Sequence, residues 1–391
     1  MSPKKVTLLM MVFLLAIGLY QYSRPLPVIK PTTNFSQPQT SPAVNLPWPA
    51  YGQGALGAKG YGVLATHGQQ KPVPIASITK VVTALAVLKE KPLAKGEKGP
   101  NITINSDDVA IYNEYVSQGG SVTSIAKGSQ ISEYDGLQSM LIPSSNNMAA
   151  TVAKWAFGSV DNYVKYANQM LADMGFKQTR VDEASGFSVN SVSTATELIK
   201  LGEIALANEV IAEIVKKATV NLPVAGEVRN INWLLGTEGV IGIKTGNTNE
   251  AGGCLLFAAQ KTIFGQPIIL IGVILGAPDR NQAITDSREI LQSVEDGFEK
   301  VPVVKKGRSL GTYKTPWDTK SELIASDELA VLVWKGSTIS PILKAQTISA
   351  PKLAGTHVGE IYIAYGEQQK TVPVELKNDL AGPGWHWRLS R

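Results

Sequence analysis

The sequence predicts an α+β chain that closes in a small all-β domain, and three observations carry that expectation. After Ser77-Ile78-Thr79-Lys80, the apolar residues Val81, Val82, Ala84, Leu85, Val87 and Leu88 fall at helical spacing. Apolar, β-rich runs at residues 240–246 and 254–259, separated by turn residues, read as consecutive strands. Beyond about residue 298, alternating segments dominate. Residues 329–334 read as a strand, and residues 361–365 and 371–376 flank a turn as a hairpin, with Pro373 marking an edge strand. A small β-sandwich over residues 298–391 is the natural architecture for that pattern.

At the N-terminus, Lys4 and Lys5 precede an apolar run over residues 6–20, the pattern of an export signal. At ~1.5 Å per residue the run spans about 22 Å, short of a ~30 Å hydrocarbon core. That length suits a cleavable signal, but Gln21-Tyr22-Ser23-Arg24-Pro25 offers no A-x-A site. Residues 1–23 are therefore expected to act as an uncleaved single-pass anchor, with a removable signal as the alternative. Residues 24–55 are rich in Pro, Ser, Thr and Asn and read as an extended tether. Residues 56–297 then form the expected catalytic domain.

Composition narrows the chemistry. With 44% hydrophobic and 18% charged residues the chain is globular, and its net charge of +5 is too mild and dispersed for a nucleic-acid binder. Cys254 is the only cysteine, so no disulfide framework or thiolate metal cluster is available. It lies in an apolar run and reads as a buried structural thiol. The three histidines, His67, His357 and His386, have no zinc-ligand spacing, and no G-x-S-x-G elbow is present. No metal or cofactor is expected, and a catalytic base must be sought among other residues.

Three strings supply one. Ser77 opens the first predicted helix, and Lys80 lies one turn on, so its amine falls beside the Ser77 hydroxyl. A serine becomes a useful nucleophile next to a base, and lysine serves if its surroundings favour the neutral amine. Backbone N–H groups at the helix start can meet a developing oxyanion. Pro143 should end a preceding helix and leave Ser144-Ser145-Asn146 on a loop before another helix near Met148. Both Ser144-x-Asn146 and Ser145-x-Asn147 fit S-x-N; the flanking Leu-Ile-Pro run favours the first. Lys244-Thr245-Gly246 ends a predicted strand, where Gly246 would let a peptide lie close and Lys244 and Thr245 could bind a carboxylate. Asp182-Glu183-Ala184-Ser185-Gly186-Phe187-Ser188 reads as a turn-rich loop, followed by a capping box from Thr194 to Glu197. Each string alone is ordinary; a serine cap with a solvated lysine is common.

In that order, the three strings resemble the serine acyl-transfer site of penicillin-recognising enzymes. Over roughly residues 56–390 the chain looks like a serine-type D-alanyl-D-alanine carboxypeptidase, a low-molecular-mass penicillin-binding protein of the β-lactamase-like superfamily. The resemblance is carried by P-I-A-S-I-T-K, L-I-P-S-S-N-N, D-E-A-S-G-F-S, G-I-K-T-G-N-T, G-T-Y-K-T-P-W and V-G-E-I-Y-I. It implies a β-lactamase/transpeptidase-like catalytic domain, an antiparallel sheet with helices plus a helical lobe. It implies cleavage of terminal D-alanine from peptidoglycan stem peptides, with β-lactams as covalent inhibitors. By the same resemblance, Ser77 is the nucleophile, Lys80 its base and Ser144 a proton relay. Asn146 holds the substrate amide, Lys244 and Thr245 hold the terminal carboxylate, and the N–H groups of Ser77 and Asn247 form the oxyanion hole. Asn247 stands where many relatives carry His, residues 64–74 look short for the usual hairpin, and the usual C-terminal amphipathic membrane helix is not evident. An endopeptidase or transpeptidase on this scaffold and an inactive wall-peptide-binding module are the alternatives; a β-lactamase fits the C-terminal domain less well.

Overall fold

The computed structural model describes residues 2–35 and 39–391 and divides into two compact units, residues 44–297 and residues 1–43 with 298–391. The first unit is built on an antiparallel five-stranded sheet. Its strands are β1 (Gln53–Ala58), β2 (Gly62–His67), β3 (Val240–Thr248), β4 (Gly252–Ile263) and β5 (Gln266–Ala277), in the order β3-β4-β5-β1-β2. Cys254 to Ala259 are all buried, so the interior strand β4 is covered on both faces and reads as an unbroken apolar run. The edge strand β3 carries Lys244-Thr245-Gly246 and runs to Thr248, two residues beyond the expected end.

Eight helices complete this unit: α1 (Thr79–Glu90), α2 (Ser106–Ser117), α3 (Glu133–Leu141), α4 (Asn146–Phe157), α5 (Val160–Asp173), α6 (Ala195–Ala207), α7 (Glu209–Ile214) and α8 (Arg280–Ser293). Every residue of α1 from Thr79 to Leu88 is buried, because α3, α4, α5 and α6 pack around it. Helix α6 lies on the sheet through Gly202, where a Cβ would stand 2.8 Å from the Ile271 side chain and 3.2 Å from that of Leu256. Asn105 and Asp108 form a capping box at the start of α2, and Thr151 of α4 donates to Asp108 at 3.2 Å, fixing α2 against α4. The box expected at α6 is only half made. Thr194 caps Glu197 N–H, but the Glu197 carboxylate turns instead to the N–H groups of Lys177 and Gln178 and the Thr179 hydroxyl.

The second unit is the β-sandwich. Its main sheet orders Thr32–Thr33, Ser309–Lys314, Lys320–Ala325, Gln368–Leu376, His357–Tyr365 and Ile342–Ala345. Phe298–Val304 pairs with Leu329–Trp334, and Gln39–Thr40 pairs with Thr338–Ile339. Two expectations change. The stretch 24–55 is not a free tether: Ile29, Thr32–Thr33 and Gln39–Thr40 are held in this unit by short ladders, and Gln53 begins β1. Residues 36–38 of that stretch lie outside the described residues. Pro373 sits on an interior strand, not an edge. It is tolerated because the ladder to Lys320–Ala325 stops at Val374, so no partner strand needs its missing N–H. Beyond the ladder the Pro373 carbonyl accepts from the Ser326 N–H at 3.0 Å. Pro3–Ser23 is one helix with no buried residue. At ~1.5 Å per residue it is about 31 Å long, more than the apolar run alone suggested. It is long and apolar enough to cross a bilayer.

Candidate active site

Ser77 lies in the short 3-10 turn Ala76–Ile78 that leads into α1, with Ala76 at a left-handed φ of 45°. Lys80, fully buried one turn on, has Nζ 2.8 Å from Ser77 Oγ, 2.7 Å from Asn146 Oδ1 and 2.8 Å from the Ser185 carbonyl. Burial drives the Lys80 pKa down to about 7, partly opposed by the charge of Glu183. A neutral amine has two N–H bonds and one lone pair. The amide oxygen and the carbonyl can only accept, so they take both N–H bonds. The lone pair is left for Ser77, the one neighbour with a proton to give.

The second motif resolves into two jobs. Helix α3 ends before Pro143, and Ser144 takes a left-handed φ of 65° to turn the chain. Ser145 caps α4 by accepting from Met148 N–H at 3.3 Å, and its hydroxyl donates to Asn147 Oδ1 at 2.6 Å. Asn147 in turn bonds both the N–H and the carbonyl of Thr123, at 3.0 and 3.1 Å. The Asn146 N–H donates to the Ser121 carbonyl at 2.7 Å. Ser145 and Asn147 are thus committed to holding a cleft wall. The buried Ser144 hydroxyl makes no hydrogen bond to the described residues. Helix α4 starts at Asn146, two residues earlier than expected, because Ser145 supplies the cap.

The third motif is buried more deeply than expected. Lys244 is 2% and Thr245 3% exposed, and Lys244 Nζ donates to the Thr245 carbonyl at 2.9 Å. Burial, then the positive charges of Lys80 and Arg280, hold the Lys244 pKa well below its usual value. Gly246 has a packing role that the sequence reading did not anticipate. A Cβ there would stand 2.9 Å from Ala76 Cβ and 3.0 Å from Ser77 N, so its bare face lets β3 pack against the Ser77 turn. The Asn247 side chain accepts the Arg280 N–H at 3.1 Å and so positions the start of α8.

A cleft of about 500 Å³ opens over these groups. Ser77 and Asn146 line it, with segments 118–121, 186–189 and 247–250 as walls. Lys80, Ser144, Lys244, Thr245 and Gly246 lie outside that lining. The loop after α2 and Arg280 escaped the sequence reading, and the 182–188 segment was read as a turn-rich loop without a part in the site. The glycines of Gln118-Gly119-Gly120-Ser121 and Gly186 were the available signals. A Cβ at Gly120 would stand 2.9 Å from Asn146 Nδ2, and at Gly186, with φ 78°, it would overlap the Ala76 carbonyl.

The family model described as D-alanyl-D-alanine carboxypeptidase matches residues 58–279. D-alanyl-D-alanine carboxypeptidase DacF of Bacillus subtilis is 25% identical over 344 residues, 84% of this chain and 85% of that protein. The D-alanyl-D-alanine endopeptidase of Pseudomonas aeruginosa is 33% identical over 244 residues, 60% of this chain and 74% of that protein. Among solved structures, penicillin binding protein 5 of Haemophilus influenzae superposes with a TM-score of 0.61 at 21% identity, covering 87% of this chain and all of that one. The Streptomyces K15 DD-transpeptidase gives a TM-score of 0.57 at 24% identity, covering 64% and 98% of the two chains. These last two likenesses bear on the fold alone.

Proposed function

The chain belongs to the D-alanyl-D-alanine carboxypeptidase family, peptidase S11, and on that premise we propose which of its residues carry each step. It is a serine-type peptidase that removes the terminal D-alanine of peptidoglycan stem peptides through an acyl-enzyme. Neutral Lys80 takes the Ser77 hydroxyl proton as Oγ bonds to the carbonyl carbon of the penultimate D-alanine. The oxyanion meets the N–H groups of Ser77 and Asn247. The C–N bond then breaks, and the departing amine receives a proton relayed by Ser144. Water hydrolyses the ester and restores Ser77. The Asn146 carboxamide oxygen is occupied by Lys80, which leaves its NH2 to donate to the substrate amide. Lys244 and Thr245 are assigned the terminal carboxylate, whose negative charge would favour the ammonium form of Lys244 against burial and the Lys80 and Arg280 charges. Gly246 keeps the strand against the turn.

The observation that carries this reading is the set of three contacts on Lys80 Nζ, which leaves a lone pair only for Ser77. The test pairs labelled penicillin with a peptide ending in D-Ala-D-Ala. Covalent label lost in Ser77→Ala, together with D-alanine release by the unaltered protein, is the expected result. Label without D-alanine release would turn the reading toward the endopeptidase chemistry named for the Pseudomonas relative, and peptide binding without label toward an inactive wall-peptide binder.

The division that serves this reading is an N-terminal helix to residue 23, a catalytic domain over 44–297, and a β-rich domain formed by residues 298–391 with the stretch that precedes residue 44. The helix Pro3–Ser23 supports placing the enzyme on the outer face of the cytoplasmic membrane, held by an N-terminal anchor, or exporting it. Retention of the full chain in carbonate-washed membranes, with release of a chain starting at residue 24, is the expected outcome for an anchor.

A further inference from the structure

Glu183 belongs to none of the three motifs and lies 103 positions from Lys80 in the chain. Its carboxylate accepts the backbone N–H groups of Ser185 at 2.6 Å, Gly186, and Ser188 at 3.4 Å. These bonds close the turn that aims the Ser185 carbonyl at Lys80 Nζ. The same turn seats Gly186 directly on the Ala76 carbonyl, at the base of the nucleophile's turn. One carboxylate thus fixes both an acceptor of the base and a support of the nucleophile.

Its charge faces a defined set of groups. From α1 comes Lys80, whose ammonium form it favours against the larger effect of burial. Lys244 of β3 is acted on by Lys80 and Arg280 as like charges, not by Glu183. Tyr115 of α2 bonds the Ser185 hydroxyl at 3.4 Å, and burial and the Glu183 charge push it up to about 12. Tyr163 of α5 bonds Thr83 at 2.7 Å and is likewise pushed up, by burial first. Both phenols stay neutral across the range in which Lys80 titrates, so Glu183 is the anion that Lys80 meets.

We infer that Glu183 is a positioning residue for acyl transfer: it clamps the 185–188 turn against the base and supplies the negative charge beside it. This rests on Lys80 acting as the base of Ser77. A carboxylate near an amine favours the amine's protonated form. Removing the charge while keeping the shape must therefore let Lys80 lose its proton at lower pH.

The experiment measures the second-order rate of acylation of the full chain by a labelled penicillin from pH 5 to 9. Rates are normalised to the sites that label at long exposure, so that misfolded molecules do not count. Glu183→Gln is expected to move the acidic limb down by roughly half a unit to one unit, so that its activity at pH 6 is a larger fraction of its own plateau than in the unaltered protein. Glu183→Asp, which keeps the charge, is expected to return the limb to its original position at a reduced plateau. Glu183→Ala, which frees three N–H groups, is expected to lose at least tenfold at every pH. A Glu183→Gln limb superimposable on that of the unaltered protein would overturn the inference, whatever the plateau, because a purely structural clamp lowers rates without moving the limb. Absence of Ser77 label in the unaltered protein would instead strike the reading of the site itself.

Discussion

Gly246→Ala tests the packing of the site most directly. The added methyl would stand 2.9 Å from Ala76 Cβ, 3.0 Å from Ser77 N and 3.2 Å from the Ile75 carbonyl oxygen. Carbon atoms rest comfortably at about 3.5–4.0 Å, so the methyl pair is short by roughly 0.7 Å. None of the three obstacles is a side chain that can rotate away. Either β3 or the Ser77 turn must move by that amount. Misplacement of reacting groups by about 1 Å costs ~100-fold, so a loss of roughly 30- to 100-fold in acylation rate is expected, equivalent to about 2–2.7 kcal/mol. Overpacking should also cost about 1–3 kcal/mol of stability. The assay is the second-order rate with labelled penicillin, beside thermal unfolding of the same samples. Ala76→Gly in the same chain removes the closest contact and relieves the left-handed residue, so the double variant should regain part of both losses. Acylation by Gly246→Ala within threefold of the unaltered protein, at unchanged Tm, would refute the view that strand and turn form one rigid support.

In the unaltered protein, acylation should rise with pH through about 7, as Lys80 sheds its proton and becomes a base. Asn146→Asp places a carboxylate beside Nζ, favours the ammonium, and should move that limb upward by at least about one unit, with activity returning at higher pH. Ser145→Ala should lower stability by ~1 kcal/mol through loss of the α4 cap while labelling persists, measured by denaturant unfolding. Ser144→Ala should leave stability nearly unchanged and slow D-alanine release, which a turnover assay reads. Cys254, pushed up to about 12 by burial, should resist thiol reagents in the native protein and react only after denaturation, as followed by absorbance with a chromogenic disulfide.

Local periodicity made much of the site readable. The i, i+3 relation of Ser77 and Lys80 follows from helix geometry, and the β-branched run ending at Gly246 announced its strand. What escaped was nonlocal. Whether Ser144 or Ser145 faces the site depends on which one the helix consumes as a cap, and both patterns fit the string. Glu197 fits a capping box by spacing but finds better partners in Lys177, Gln178 and Thr179, brought to it only by the fold. Glu183 reaches Lys80 through a turn with no periodic signature. Gly246 and Gly186 are marked in the sequence as permissive residues, yet the surfaces they make room for are the protein's own backbone. Thr32–Thr33 forms so short a ladder that no alternation can announce it.

The β-sandwich is discontinuous in the chain, since residues 1–43 and 298–391 make one unit and the catalytic domain is inserted between them. During vectorial synthesis or export, the inserted domain has all its own residues once position 297 emerges. The flanking unit must wait for the last strands, Gln368–Leu376 among them, before Thr32–Thr33 gains its neighbour Ser309–Lys314 in a completed sheet. The serine enzyme can therefore mature ahead of its companion. After a later cut at the 43/44 junction, the amino-terminal piece would still be joined to this unit by the short ladders of Thr32–Thr33 and Gln39–Thr40 and the Ile29–Ile348 bridge, none of which crosses the severed bond.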